Sequence, residues 1–445
     1  MEIFLFAPAV SPQSQADSYK RMDDGKWVFG LDNLWVLAPT RHGAHNWEGP
    51  GKLTAMKALE SLSLHTKANS FIESKADGKK VVIAGHSMGG HGACTFSLLG
   101  ICELDKEGKD CGENESAKKY QQHQEDTVDR NQAGEGVFTL TVYNPASING
   151  VRGVRILQQL IPFRHSSVQI RLSTGAAILR TENVARMSLS EPAISPIDWD
   201  QRHITVDDTV VNLEKSSGHS RKSPTFLCRS GSSAWKVCDQ KSFESKFERG
   251  PLNMGPARRI AESPFLIVTG TTGNPDTVEI LRRFAVYIAN QFYLTSDTIC
   301  HVITDKELDQ TTADDFNLIV VGRPEHNSWS RQFHEDIPLK FHEKHLSLSD
   351  CRFDATRTGA IFLAPHGGTR LALVLTGNSL TGVEDIVNLA TPTILPMARS
   401  PFSNMIPDFV ITGPRFGARG PGGYLCTGFW GNSWEYRREL ASCSC

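Results

Sequence analysis

A short segment near residue 85 constrains the fold more than any other part of this chain. The apolar run Val81–Ala84 is typical of a buried strand, and Gly85, Ser87 and Gly89 follow it in the pattern G-x-S-x-G. The next residues, "GGHGACTFSLLGI", are small and apolar and predict a packed helix. Glycines two positions before and after the serine allow strand and helix to pass closely through a sharp turn. The segment therefore predicts a parallel sheet with helices on its faces.

The predicted turn would raise the Ser87 hydroxyl to the end of the sheet. The N-terminus of the following helix would point at the same place, where backbone N–H groups stabilise an oxyanion. Ser87 is therefore the candidate nucleophile, and the Met88 N–H is the candidate oxyanion donor. A second interpretation stays open, in which the segment is a glycine-rich connection and Ser87 only caps the helix.

A second candidate segment lies between the strand-like "LWVLAP" and the helical "GKLTAMKALESLSLHTKANSFIES". The loop between them carries Arg41, His42, His45, Trp47 and Glu48. These side chains are expected at the carboxyl edge of the sheet, where α/β proteins bind ligands. Two interpretations are open: a substrate-facing loop that uses His42, His45 and Trp47, or an ordered loop in which Trp47 is a packing anchor.

Composition divides the chain into four parts. Residues 1–100 alternate strand and helix patterns and predict an α/β core that carries the serine turn. Residues 101–136 are nearly all polar and predict a solvated linker or loop. Short alternating segments over 137–254 predict an antiparallel β-rich unit. Buried-strand patterns over 255–445, such as "SPFLIVTG", predict a second sheet that is parallel or mixed.

Charge and composition indicate an ordinary globular protein. The 445 residues are 39% apolar and 22% charged, with a net charge of -2. This balance gives no electrostatic reason to expect nucleic acid or an anionic membrane as a partner. No apolar run is long enough to span a bilayer. The N-terminal "MEIFLFAPAVS" lacks a basic region before its apolar stretch, so a buried first strand is favoured over a signal peptide.

Ten cysteines are spread along the chain without a C-x-x-C pair. Cys443 and Cys445 at the end of the sequence are too weak a signal for a metal site. Buried or free thiols in a reducing compartment are favoured, which predicts a cytoplasmic protein. A disulfide framework stays open as the alternative.

A nucleophilic serine needs a general base, and in this kind of sheet the acid and the histidine follow the serine. Residues 101–136 contain His123 and Asp126, but no strand pattern that would position them. Four later histidines are weaker candidates for the base: His165, His203, His326 and His366. The first two are expected on the surface, and His366 precedes two glycines. The base and the acid stay unassigned.

Two of these motifs resemble a known family. "GHSMGG" and "APTRHGAHNWEGPGKLTAMKALESL" are similar to the α/β-hydrolases of the prolyl oligopeptidase family of serine peptidases. "FTLTVYNPASINGVRGVRILQQ" and "NLIVVGRPEHN" resemble the long C-terminal extensions of its large members. The resemblance implies an α/β-hydrolase-like parallel sheet, Ser87 as the nucleophile, a small peptide or ester substrate, and no metal or organic cofactor.

The chain departs from the family in two respects. "FLFAPAVS" stands where the family has a His-Gly pair; Pro8 has no N–H, so Ala9 or Val10 would supply the second oxyanion donor. The earlier strands of the hydrolase sheet and the family's acid and histidine find no match, which implies a shortened member with an incomplete sheet. Three functions therefore stay open: a serine peptidase, an esterase, and a catalytically silent relative that acts as a binding or scaffold protein. The oligomeric state is not indicated.

Overall fold

The computed structural model describes most of the C-terminal half of the chain and separate segments of the N-terminal half. The described residues are 2–5, 20–29, 35–39, 50–76, 81–85, 136–146, 150, 153–173, 176–190, 203–213, 224–230, 234–239, 245–296, 298–391 and 406–445. The predicted linker lies outside them, apart from residue 136.

The first region contains a small parallel sheet. Its elements in chain order are β1 (Glu2–Leu5), β2 (Lys20–Asp23), β3 (Lys26–Phe29), β4 (Val36–Leu37), α1 (Pro50–Ala68) and β5 (Val82–Gly85). Three strands pair in the order β4-β1-β5, and both pairs are parallel. Helix α1 connects β4 to β5 and buries Ala55 and Leu59 against Leu37 and Trp35. The predicted parallel pairing is confirmed for these strands, whereas the β2–β3 hairpin was not predicted.

Residues 136–237 form a β-rich unit of two sheets. Its strands are β6 (Gly136–Val142), β7 (Val154–Gln159), β8 (Ser166–Ser173), β9 (Ala176–Glu182), β10 (Val184–Leu189), β11 (His203–Val206), β12 (Thr209–Asn212), β13 (Thr225–Ser230) and β14 (Ala234–Val237). One sheet has the order β12-β11-β9-β8-β6 and the other β14-β13-β10-β7. Buried side chains of both sheets, including Ile170 and Met187, form one core. The prediction of an antiparallel β unit is confirmed except at β11 and β9, which pair in parallel.

The C-terminal region is built on an eight-stranded mixed sheet. Its helices are α2 (Pro275–Ser296), α3 (Gln310–Asp314), α4 (Ser328–Glu335), α5 (Leu380–Ile386) and α6 (Phe416–Arg419). Its strands are β15 (Phe265–Thr269), β16 (Val302–Thr304), β17 (Asn317–Val321), β18 (Leu339–Phe341), β19 (Leu346–Leu348), β20 (Cys351–Phe353), β21 (Gly359–His366), β22 (Arg370–Gly377), β23 (Phe409–Thr412), β24 (Tyr424–Trp430) and β25 (Tyr436–Cys443). The large sheet has the order β16-β15-β17-β22-β21-β23-β24-β25, and the first four strands are mutually parallel. The sequence predicted a second sheet that is either parallel or mixed, and the observed sheet is mixed.

Packing explains why these residues form these elements. All five residues of β17 are buried, as expected for a strand covered on both faces. Helix α2 places one face on the sheet, and the spacing of its buried residues follows the helical period: Leu281, Ala285, Ile288 and Phe292. The small sheet β18-β19-β20 adds its own buried side chains to the same core.

A buried ion pair lies where the β-rich unit meets the eight-stranded sheet. Arg249 Nη1 is 2.7 Å from Asp408 Oδ2, and both side chains are fully buried. The same nitrogen donates to the Trp430 carbonyl, while the Trp434 ring lies 4.7 Å from the guanidinium. Gln158 of β7 donates to the Arg249 carbonyl, so this segment joins the two units. Burial raises the pKa of Asp408, and the Arg249 charge opposes that rise.

Six cysteines of the described residues are paired in disulfides, and Cys300 is free. The pairs are Cys228–Cys238, Cys351–Cys445 and Cys426–Cys443. The favoured interpretation of free thiols is therefore not the one found for these six. Cys228–Cys238 and Cys426–Cys443 are 10 and 17 residues apart and Cys351–Cys445 is 94 residues apart, and spacing alone does not reveal which cysteines pair. The predicted cytoplasmic location stays a prediction. None of the described helices is both long and apolar enough to cross a membrane.

Candidate active site

The three parallel strands of the first region end at one edge of their sheet. Leu5, the last residue of β1, is opposite Gly85, the last residue of β5. Leu37, which ends β4, is opposite Ile3, two residues before the end of β1. Carboxyl ends of parallel strands are the usual location of ligand sites in α/β sheets. The candidate active site is therefore this edge.

The sequence-predicted site residues follow these strand ends in the chain. Ser87 and Met88 come two and three residues after β5, and the loop with His42, His45 and Trp47 comes after β4. All five lie outside the described residues, as do Ala9 and Val10 after β1, and His123 and Asp126. The structure describes the three strands β1, β4 and β5 that precede these segments in the chain.

The loop after β4 is fixed at both of its ends. At its start, Pro39 is buried, and Leu37 packs with Ala55 and Leu59 of α1. At its other end α1 begins at Pro50, a residue whose fixed φ suits the first helical position. The ten residues 40–49 therefore connect two elements that pack against each other.

Three described histidines are far from this edge or exposed on another unit. His65 is exposed on α1, fifteen residues after Pro50, which corresponds to about 22 Å along the helix. His165 is exposed in the β-rich unit, and its Nδ1 lies 3.6 Å from Glu182 Oε2. His203 begins β11 and is half-buried.

His366 is part of the core of the C-terminal region. Its Nε2 donates to the Ala313 carbonyl over 2.8 Å, and the side chain is 1% exposed. The rings of Trp329 and Phe333 meet it edge to face. Burial lowers its pKa, a change that the hydrogen bond to Ala313 opposes. A neutral, enclosed imidazole of this kind has no access to a serine at the edge of another sheet.

A second carboxyl edge belongs to β15, β16 and β17. Asp305 follows β16 and accepts hydrogen bonds from Thr271 Oγ1 at 2.7 Å and from the Ser328 N–H at 2.9 Å. Asn327 caps α4 by accepting from the N–H groups of Trp329 and Ser330. The polar groups of this edge thus bond mainly to each other, and the arrangement is structural.

His326 lies at this second edge. Its carbonyl accepts from the Thr272 N–H at 3.1 Å, which links the loops after β15 and β17. Burial lowers the pKa of its ring; Glu325 opposes this effect and Arg323 adds to it. Its Nδ1 is buried and has no hydrogen-bond partner within the described residues. His326 is one of the candidate bases named from the sequence. It follows β17 of the C-terminal sheet and does not lie beside β5.

Comparison with protein-family models and with curated proteins identifies no relative of this chain. No protein-family model matches the chain, and no curated protein matches it. The likeness to prolyl oligopeptidases therefore stays a resemblance of short motifs, and the geometry of the strand ends is the firmer observation.

Proposed function

We propose that this chain is a serine hydrolase that cleaves a small peptide or ester bond, with Ser87 as the nucleophile. The observation that carries the proposal is the pairing of Leu5 with Gly85. It brings the start of the segment with Ala9 and Val10 next to the start of the segment with Ser87. A nucleophile after one strand and an oxyanion donor after its neighbour is the arrangement that G-x-S-x-G hydrolases require.

Covalent geometry limits how far the two segments separate. Ser87 follows Gly85 by two residues and Ala9 follows Leu5 by four, and each residue spans at most about 3.6 Å. Adjacent strands are about 4.8 Å apart. These limits allow both segments to reach one carbonyl carbon, which is compatible with Met88 and Ala9 or Val10 as the two oxyanion donors.

The reaction follows from these roles. Ser87 Oγ attacks the carbonyl while a histidine takes its proton, and the N–H donors stabilise the negative charge on the carbonyl oxygen. The protonated histidine then donates to the leaving group, and water releases the acyl group by the same route. Without a base, a serine hydroxyl is a weak nucleophile at neutral pH.

Histidines close in sequence to the strand ends are the first to test as the base. They are His42, His45, His86 and His91. Three of them, His42, His45 and His86, precede the serine in the chain, but nucleophile, base and acid occur in different chain orders in unrelated hydrolases. The triad is therefore recognised by geometry, and order does not exclude His42 or His45.

A fluorophosphonate probe on the full chain tests the proposal. We expect covalent labelling that disappears in Ser87→Ala and persists in Ser61→Ala, a matched control on the exposed face of α1. A folded wild-type chain that takes no label would contradict the proposal. Turnover of short-chain esters against proline-containing peptides then separates an esterase from a peptidase.

A catalytically silent relative is the second candidate. It is supported by the sequence of residues 101–136, which has no strand pattern that would position His123 and Asp126. Such a protein would form the same β4-β1-β5 sheet and would take no label from the fluorophosphonate probe.

A further inference from the structure

Four cysteines from distant parts of the sequence meet beside one edge of the eight-stranded sheet. Cys351 begins β20, Cys426 lies on β24, and Cys443 ends β25, with Cys445 two residues later. The sulfur atoms of Cys351, Cys443 and Cys445 all lie within 4.8 Å of one another. Cys426 is bonded to Cys443 and adds a fourth sulfur. We call these four residues the four-cysteine cluster.

We propose that the four-cysteine cluster is a redox-dependent zinc site. In the reduced chain the four thiolates bind one zinc ion, and in the oxidised chain the same sulfurs form the disulfides Cys351–Cys445 and Cys426–Cys443. The proposal is independent of Ser87 and of the hydrolase activity.

The separation of the sulfurs fits a tetrahedral tetrathiolate. Zinc binds thiolate at about 2.3 Å, so the sulfurs of such a site lie about 3.8 Å apart. Three of the four are within 4.8 Å of one another, and the fourth, Cys426 Sγ, is bonded to Cys443 Sγ, so all four sulfurs belong to one cluster. Four sulfur ligands with no open position are typical of a structural zinc site. Soft thiolate ligands also disfavour magnesium and calcium.

Backbone pairing and a backbone hydrogen bond position three of the four cysteines, Cys426, Cys443 and Cys445. Cys426 and Cys443 are paired opposite each other on antiparallel strands β24 and β25. The Ser444 N–H donates to the Leu425 carbonyl at 2.8 Å, which fixes the chain between Cys443 and Cys445. Cys426 is fully buried, so at least one ligand is shielded from solvent.

The Tyr436 hydroxyl contacts one of the four proposed ligands, Cys443. The Tyr436 hydroxyl lies 3.8 Å from Cys443 Sγ and is its hydrogen-bond donor, since a bonded or metal-bound sulfur carries no proton. Donors of this kind orient metal ligands and stabilise thiolate charge. Tyr436 would therefore support Cys443 in both states of the cluster.

The exchange between states balances as follows. Two molecules of a small dithiol reduce the two disulfides, supplying four electrons and four protons, and are themselves oxidised to cyclic disulfides. The four thiols then lose four protons as Zn²⁺ binds, and the complete site carries a charge of about -2. Oxidation by a disulfide or peroxide removes four electrons, re-forms the two bonds and releases the zinc.

The chain also contains matched cysteines for comparison. Cys228 of β13 forms a disulfide with Cys238, the residue after β14, and no metal-binding group of three ligands includes them within the described residues. Cys300 is a single half-buried thiol. These three should not bind zinc when the chain is reduced.

Cobalt titration of the reduced chain tests the proposal. The intact protein is reduced without oxygen, the dithiol is removed, and Co²⁺ is added. We expect one equivalent to bind with the visible and near-ultraviolet absorption of a tetrahedral cobalt thiolate, and Zn²⁺ to displace it. X-ray absorption of the zinc form should show four sulfurs at about 2.3 Å. The double variant Cys351→Ser/Cys445→Ser should lose affinity at least tenfold, and Cys228→Ser/Cys238→Ser should retain it.

A second measurement avoids variants that fail to fold. Reduced wild-type chain is alkylated with and without Zn²⁺, and the modified peptides are identified by mass spectrometry. Zinc should protect Cys351, Cys426, Cys443 and Cys445 and leave Cys228 and Cys238 reactive. Folded, reduced protein that binds less than a tenth of an equivalent of Co²⁺ would overturn the proposal. Protection at Cys94, Cys102 or Cys111 instead of the cluster would overturn it equally.

Discussion

Arg249 and Asp408 form an ion pair from which water is excluded, 2.7 Å apart at the junction of two structural units. Asp408 Oδ2 also accepts from the Trp430 N–H at 2.9 Å, so one oxygen serves the strand β24 and the arginine together. The guanidinium lies 5.8 Å from the Phe163 ring on the side of the β-rich unit. The pair thus connects the β-rich unit to the C-terminal sheet.

Removing one member of this pair should destabilise the chain strongly. Arg249→Met leaves Asp408 as an uncompensated buried carboxylate, and we expect a loss of about 3–5 kcal/mol in the free energy of unfolding. The double variant Arg249→Met/Asp408→Leu removes both charges and should recover a large part of that loss. Urea denaturation of wild type and both variants measures the difference. A double variant no more stable than the single one would contradict this account.

Asp207 should make the stability of the β-rich unit depend on acid pH. Burial opposes its ionisation, but hydrogen bonds from Thr181, Trp235 and Arg229 outweigh burial, so its pKa is lowered. Stability from a lowered carboxyl pKa is present above the unfolded value of about 3.9 and is lost as pH falls through the folded value. Denaturation followed from pH 7 to pH 2 should show this decline.

The neighbouring aspartate provides the control for Asp207. Asp207→Asn tolerates the same left-handed backbone but accepts fewer charge-assisted bonds, so we expect a loss of about 1–3 kcal/mol at pH 7 and a flatter acid decline. Asp208 has a similar backbone in the same turn, and its side chain is largely exposed beside Arg180. Asp208→Asn should therefore change stability little, and an equal loss in both variants would refute the assigned role.

Cys300 should resist alkylation in the folded chain. Burial raises the pKa of its thiol to about 12, and the thiolate is the reactive form. At pH 8 only about one thiol in ten thousand is then ionised. Iodoacetamide should leave Cys300 unmodified in native protein and modify it in urea, as read by peptide mass spectrometry. Rapid modification of the native chain would contradict the raised pKa of this half-buried thiol.

Gly382 should not tolerate a side chain. A Cβ at this position of α5 would overlap the Thr358 carbonyl oxygen, so Gly382→Ala should cost about 1–3 kcal/mol even after the helix-propensity gain of about 1 kcal/mol. At Gly250 the nearest atom to an added Cβ is the Leu157 carbonyl oxygen at 3.9 Å, an ordinary contact. Gly250→Ala is therefore the control, with little change expected in thermal unfolding. Equal melting temperatures for wild type and Gly382→Ala would contradict the predicted overlap.

Trp47 distinguishes the two interpretations of the loop after β4. If the loop faces substrate, Trp47→Ala should raise KM roughly tenfold and leave kcat nearly unchanged, because it removes binding shared by ground and transition states. If Trp47 is only a packing anchor, the variant should lose stability and keep its KM. Steady-state kinetics on a short-chain ester, together with thermal unfolding, separates these results.

The strongly apolar elements could be predicted from the sequence. β15, β17 and α2 have continuous buried runs or a clear helical period, and the structure confirms each. The strands β18, β19 and β20 have three residues each, too few for a periodic signal. β24 and β25 were also missed, and β25 is an edge strand in which Arg437, Arg438 and Glu439 mask the apolar alternation.

The site residues predicted from the sequence, Ser87 and Met88 among them, lie outside the described residues and stay predictions. His366 was named as a candidate base, and two glycines follow it in the sequence. In the structure Gly367 and Gly368 have positive φ and form the turn between β21 and β22. The glycines therefore serve the hairpin. The four-cysteine cluster gave no spacing signal because its members lie on three strands and a following tail, and pairing across strands is not encoded locally.

The central position of β1 has a consequence for how the chain is made. Both hydrogen-bonding partners of this strand are encoded later, and Gly85 leaves the ribosome 80 residues after Leu5. At about 5–20 residues per second, the first strand waits roughly 4–16 s for its second neighbour. Until β5 is made, the backbone groups of β1 that face it have no final partner, so β1 is a segment for which a chaperone would be useful during translation.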